Sequence, residues 1–196
     1  MNHLLKYVAL AFLAINISFT PVEKKTIIID VSHGGKDPGV QMEEHKEKDI
    51  TYSIARKILA LNTDENIELI LTRDSDKFLS YADRIDFIKS LNPDYVISLH
   101  VEMHDDEALN GISFIVNSKS ASIESCKQLA HSLDRSISRK LTTNGVKDGP
   151  FFLLKHLEVP TTLIQMGYLS NPKDKALLTS ENGQSKLAKA IYNSMR

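Results

Sequence analysis

The stretch Thr26-Ile27-Ile28-Ile29-Asp30-Val31-Ser32-His33-Gly34-Gly35-Lys36-Asp37-Pro38-Gly39 decides how the rest of the chain is read. An almost continuous apolar run from Thr26 to Val31 predicts a strand covered on both faces, as in a parallel sheet. The strand runs straight into a histidine, and the histidine into glycines. It therefore delivers an imidazole to an open sheet edge. The glycines leave room for a ligand to approach.

Outward from this strand, helical and extended patterns alternate. Ile50, Ile54, Ile58 and Leu61 recur at helical spacing across residues 47–61. Residues 67–72 read as a second strand, and residues 81–91 as a helix with Ile85, Ile88 and Leu91 on one face. Residues 95–99 form a third strand, ending at His100, and residues 112–116 a fourth. A long helix is expected over residues 122–141, through Cys126, Ala130, Leu133, Ile137 and Leu141. A final strand at residues 161–166 precedes Gly167, followed by short helices at 174–178 and 185–195. This alternation predicts an α/β fold: one domain, residues 26–196, with a mostly parallel central sheet flanked by helices.

The first 22 residues differ from the rest. Lys6 precedes the apolar run Tyr7 to Ile17, which is too short for a membrane span and has the length of an export signal. No clear Ala-x-Ala cleavage site follows. Residues 1–22 are read as a signal peptide, with an uncleaved N-terminal anchor as the alternative. The expected location is outside the cytoplasm, in the periplasm or cell envelope, membrane-tethered if the signal is retained.

A formal net charge of −1 leaves no basic footprint for nucleic acid. The single cysteine, Cys126, excludes an intrachain disulfide, and no Cys-x-x-Cys pair offers a thiolate zinc site. Cys126 falls in a helical apolar pattern and reads as a buried thiol rather than a reactive one.

His33 and His100 each follow a core strand. In open α/β sheets, ligands bind at the carboxyl ends of strands, so two imidazoles there can meet. Alone, each also fits a structural role. Glu47 opens the first helix, just beyond the loop leaving His33. It reads either as a third ligand or as a helix-start glutamate favoured by the macrodipole. Two histidines, one carboxylate and an open position make a catalytic zinc arrangement, in which the metal acidifies water and polarises a carbonyl.

The blocks from Ile29 to Gly39, Glu47-Lys48-Asp49-Ile50, Thr72-Arg73-Asp74 with Leu79 and Arg84, Ile97-Ser98-Leu99-His100, Gly149 to Leu154 and Met166 to Asn171 occur in order. Together they resemble the zinc-dependent N-acetylmuramoyl-L-alanine amidases of the amidase-3 family, from about Thr26 to the C-terminus. The resemblance implies Zn2+ held by His33, Glu47 and His100. It implies hydrolysis of the amide between N-acetylmuramic acid and the L-alanine of the stem peptide, with peptidoglycan or muropeptides as the partner. No obligate protein partner is evident. The loop between His100 and Ile112 is short, so no inhibitory helix is expected there.

Two departures stand out. Val31-Ser32 replaces the family's usual Pro-Gly before the first histidine. Gln165 stands where the family carries the glutamate that handles protons. An amide orients a water but does not take its proton. Glu102, two residues beyond His100, is the nearest substitute, although it also reads as a solvent-facing loop carboxylate. The expectation is a slow amidase or, alternatively, an inactive zinc- and peptidoglycan-binding pseudo-amidase.

Overall fold

The computed structural model describes residues 24–195. Their elements, in chain order, begin with β1 (Lys25–Val31), β2 (Gln41–Met42), β3 (His45–Lys46) and α1 (Glu47–Leu61). β4 (Ile67–Leu71), α2 (Tyr81–Leu91), β5 (Tyr95–Glu102) and β6 (Ile112–Val116) follow. The chain continues through α3 (Ile123–Ile137), β7 (Thr143–Asp148), α4 (Phe152–His156), β8 (Thr161–Tyr168), α5 (Pro172–Thr179) and α6 (Glu181–Asn193).

Six strands form one sheet in the order β4-β1-β5-β8-β6-β7. β4, β1, β5 and β8 run parallel; β6 runs antiparallel to β8, and β7 parallel to β6. The sheet is thus mostly parallel, as the apolar strands predict. Strand periodicity sorts the side chains of β1 onto two faces. Ile27, Ile29 and Val31 join one core with Ile54 and Ile58 of α1, Leu133 of α3 and Ile191 of α6. Ile28 faces the other way, against Ile85 and Ile88 of α2 and Leu153 of α4. Helices therefore cover both faces of the sheet, and burying each such isoleucine contributes about 1.5–3 kcal/mol.

Several elements differ from the sequence-based expectation. β7, Thr-Asn-Gly-Val-Lys-Asp, is a polar edge strand without apolar alternation, so its pattern does not announce it. The five-residue helix α4 is too short to show a period. The long helix expected to reach residue 141 stops at Ile137. β5 does not end before His100 but continues to Glu102, because β8 keeps pairing with it. His100 and Glu102 are consequently strand residues, which corrects both the strand-end reading of His100 and the loop reading of Glu102. Among the described residues, no helix is long and apolar enough to cross a membrane. The export signal read at residues 1–22 lies outside the described residues.

Two buried arginines anchor the end of β1. Asp30, 1% exposed, accepts from Ser98 Oγ at 2.6 Å and Thr72 Oγ1 at 3.0 Å, and faces Arg84 Nη1 at 3.3 Å. Arg84 Nη2 reaches on to the His33 carbonyl at 3.1 Å. Arg73 donates to the carbonyls of Val31 (3.3 Å), Ser32 (3.2 Å), Lys48 (2.7 Å) and Ser75 (3.0 Å). Buried charges persist only when paired in this way. Ser80 and Asp83 close a reciprocal capping box at the start of α2, which fixes where Tyr81 and Arg84 leave the helix.

Removing Arg84 strands the Asp30 carboxylate. Arg84→Met is expected to lower stability by about 3–5 kcal/mol in urea denaturation. The double variant Asp30→Asn/Arg84→Met should recover part of that loss, whereas an equal or larger loss would contradict the pairing.

Candidate metal centre

The centre is assembled from three separate segments. His33 leaves the end of β1, Glu47 is the first residue of α1, and His100 lies in β5, next to β1 in the sheet. The loop after His33 returns the chain to α1 through the small β2–β3 hairpin. His33 itself has φ 57°, a left-handed backbone that is uncommon outside glycine and concentrates at functional sites. The surrounding hydrogen bonds hold that conformation. Arg84 takes the His33 carbonyl, and the Gly34 and Asp37 backbones bond to each other.

Glycine is required at two points of this loop. A Cβ on Gly34 would lie 2.2 Å from the Lys77 carbonyl oxygen. One on Gly39 would lie 2.5 Å from Glu47 Oε2 and 2.7 Å from the His33 ring. The chain thus folds close against the centre at positions that side chains would block.

Glu47 is 2% exposed. Its Oε1 lies 3.0 Å from His100 Nδ1 and accepts from the Val101 N–H at 3.0 Å and Ser32 Oγ at 3.4 Å. Its Oε2 lies 3.0 Å from His33 Nε2 and accepts from the Val40 N–H at 3.0 Å. Burial opposes its charge, but hydrogen bonds and attraction from His100 and His33 prevail and hold the carboxyl far below the usual glutamate range. His33 Nδ1 faces Asp37 Oδ2 at 2.8 Å. Burial alone would lower the His33 pKa; Glu47 and Asp37 together raise it.

One nitrogen, one carboxylate oxygen and one further nitrogen, from His33, Glu47 and His100, all lie within 4.8 Å of one another. His33 has a carboxylate at each ring nitrogen, so positive charge is demanded between the imidazole and Glu47. A proton satisfies that demand, and so does a divalent cation. The donor set is the two-imidazole, one-carboxylate set that zinc takes, and the Asp37–His33 contact is the carboxylate–histidine support that orients such a ligand. The residues therefore fit zinc. Among the described residues a second group, exposed Glu43 and Glu44 with half-buried His45, lies elsewhere, and Glu43 is already paired with Lys175 at 2.5 Å.

Gln165 sits directly opposite His100 in the β5–β8 pairing. Its Nε2 donates to Glu102 Oε2 at 2.8 Å. Beyond this point Met166 and Gly167 of β8 stand against Val101 alone, a bulge that brings Tyr168 opposite Glu102. The structure thus gathers His33, Glu47 and His100 in one cluster and joins Glu102 to Gln165 beside it. Asp37, Arg73 and Arg84 complete the arrangement. They stand in the motif blocks of the sequence, but their contacts depend on turns that no spacing reveals.

A profile of the Amidase_3 family, described as N-acetylmuramoyl-L-alanine amidase, matches residues 27–196. The chain is 31% identical over 186 residues to the probable cell wall amidase LytH of Staphylococcus saprophyticus, covering 92% of this chain. It spans 60% of the length of that relative. Among solved structures, the catalytic domain of CwlV, an N-acetylmuramoyl-L-alanine amidase from Bacillus (Paenibacillus) polymyxa, superposes with a TM-score of 0.80 at 27% identity, over 87% of this chain and 96% of that one. The CwlD amidase from Clostridioides difficile, solved in complex with the GerS lipoprotein, superposes with a TM-score of 0.78 at 29% identity, over 88% and 96% of the two chains. The match runs from Ile27, the third residue of β1, to the last residue of the sequence, and on that extent the chain belongs to the Amidase_3 family.

Proposed function

We propose that this chain is a zinc-dependent peptidoglycan amidase of the cell envelope. The bond cut is the amide between N-acetylmuramic acid and the L-alanine of the stem peptide. The observation that carries this reading is the convergence of His33 Nε2, Glu47 and His100 Nδ1, with Asp37 behind His33. The family membership supplies the substrate class.

His33, Glu47 and His100 would hold the metal. A zinc ion in that position supplies positive charge that polarises the amide carbonyl and makes a water more acidic. Asp37 keeps the His33 Nδ1–H engaged, so that Nε2 faces the centre. Arg73 and Arg84 hold the backbone on which His33 stands. Closing this geometry before substrate arrives removes the cost of ordering it during the reaction.

Proton handling falls to this chain's own carboxylate. Gln165 has no basic atom, but its amide is aimed at Glu102. Glu102 takes the proton of the attacking water and passes it to the amine of the departing L-alanine, as a general base and then a general acid. Gln165 is a positioning residue that holds the Glu102 carboxylate. A second reading, binding without cleavage, draws on the same Gln165 and is decided by the experiments below.

The purified chain is expected to bind about one zinc ion, read by metal analysis and titration. His33→Ala or His100→Ala should abolish binding, and Asp37→Asn should weaken it by about 10–100-fold. A wild type without zinc affinity removes the reading altogether.

Digestion of purified peptidoglycan with mass analysis of the products tests the proton path. Glu102→Gln is expected to slow release of stem peptide by about 10²–10⁴-fold. Gln165→Glu removes the amide donor and sets a second carboxylate against Glu102, so it is expected to slow release as well, whereas the exchange Gln165→Glu/Glu102→Gln restores an amide–carboxylate pair and should recover activity lost in Glu102→Gln alone. A zinc-loaded wild type that binds sacculi and releases no stem peptide establishes the non-cutting reading instead.

A further inference from the structure

The described residues expose six large hydrophobic side chains, and three of them, Phe78, Tyr81 and Phe152, crowd one side of the metal centre. Two small adjoining hollows of about 50 and 40 Å³ open there. Tyr81, Arg84 and His100 line both, so the hollows form one cleft that starts at the zinc-type ligands. Its wall is aromatic. Tyr81 and Phe152 stand with ring centroids 5.0 Å apart and planes tilted by 34°. Phe152 in turn stacks on His156 at 4.1 Å and 26°.

These rings are held, not loose. Tyr81 is the first residue of α2, behind the Ser80–Asp83 capping box. Phe152 is the first residue of α4, and His156 Nδ1 bonds back to its carbonyl at 2.8 Å. Yet Tyr81 is 58% and Phe152 45% exposed. A rigid exposed aromatic surface at the mouth of a site is where a ligand is expected to lie.

We infer that Tyr81 and Phe152 form a stacking platform for a sugar ring of the glycan strand; the inference rests on the peptidoglycan reading above. The substrate has two arms beyond the scissile amide. One is the stem peptide, which bears carboxylates. The other is the saccharide, neutral and edged with C–H groups, joined to the amide carbonyl through the short lactyl ether. The cationic group lining both hollows is Arg84, which is buried and committed to Asp30 and to the carbonyls of His33 and Leu79. It offers little to a peptide carboxylate. Aromatic faces carry negative charge density that attracts polarised C–H groups, so they suit the saccharide arm. The cleft reaches His100, so a sugar on Tyr81 and Phe152 stays within the short lactyl bridge of the centre.

The test separates this inference from the amidase reading. A peptide-free glycan fragment of alternating N-acetylglucosamine and N-acetylmuramic acid is titrated into the full chain, with and without zinc, and followed by NMR of the aromatic rings. Tyr81 and Phe152 signals should move on titration. Phe152→Ala and Tyr81→Ala should weaken binding about tenfold each, and Phe152→Trp should retain it. Phe87→Ala, 36% exposed and outside the cleft, is the control. In parallel, cleavage of a disaccharide-bearing muropeptide is compared with cleavage of the same peptide carrying only a lactoyl group. The platform predicts a preference for the sugar-bearing substrate that shrinks toward parity in Phe152→Ala. Glycan binding lost in Phe152→Ala without any cleavage by the wild type would keep the platform and reject the amidase. Cleavage with no sugar preference, or binding of a free stem peptide that depends on Tyr81 and Phe152 while the glycan does not bind, would overturn the platform and keep the amidase.

Discussion

The buried carboxylate of Glu47 is the interaction on which the rest of the site depends. A bare charge in that position would cost several kcal/mol. It survives because His33, His100, two backbone N–H groups and a serine hydroxyl surround its two oxygens. Those partners come from the end of β1, the loop before α1, and β5. The carboxylate therefore fastens three distant pieces of chain to one point, and the start of α1 favours its negative charge through the helix dipole. The requirement to satisfy one buried charge and the requirement to gather ligands have the same solution.

A second set of buried charges works one level deeper. Arg73 collects four backbone carbonyls, and Arg84 joins Asp30 to the His33 carbonyl. Both guanidinium groups are committed to these partners. Their effect is to hold a left-handed residue, His33 at φ 57°, at the exit of a core strand. Such a backbone costs on the order of 1–3 kcal/mol and persists only where its surroundings impose it. The hydrophobic layers supply the stability, and these two arginines direct part of it into the placement of one imidazole.

What could be read in the residues followed from period and position. β1 and His33 were legible because an apolar run ends abruptly in His-Gly-Gly. α1, α2 and α3 are legible from helical spacing over about three turns or more, although α3 stops short of the residue 141 that the pattern suggests. Glu47 was ambiguous, since a helix-start glutamate looks the same whether it is solvated or enclosed. The apolar run puts His100 on the right strand but at its end, because the polar residues that follow conceal the continued pairing with β8. β7 escaped notice because an edge strand of mixed polar residues has no inner and outer face to alternate. The Asp37–His33 contact escaped for another reason: four residues apart, the two meet only through a turn whose φ angles the sequence does not display.

The relation of Glu102 to Gln165 shows how little a position in sequence settles about a position in space. The two are 63 residues apart, yet they lie on adjacent strands with an amide donated to a carboxylate at 2.8 Å. Strands β5 and β8 are in register at His100 and Gln165, and the bulge at Met166 and Gly167 then slips β8 by one residue. Bulges of this kind re-aim side chains at the edges of sites. A carboxylate, Glu102, therefore stands on the strand next to Gln165, held by the Gln165 amide. Gln165 alone offers the centre no basic atom; the pair offers a carboxylate on the adjacent strand, the one to which the proposed function gives the proton. A proton acceptor is defined by the atoms it can reach, and in a parallel sheet the strand beside a ligand reaches nearly the same space as the strand that bears it.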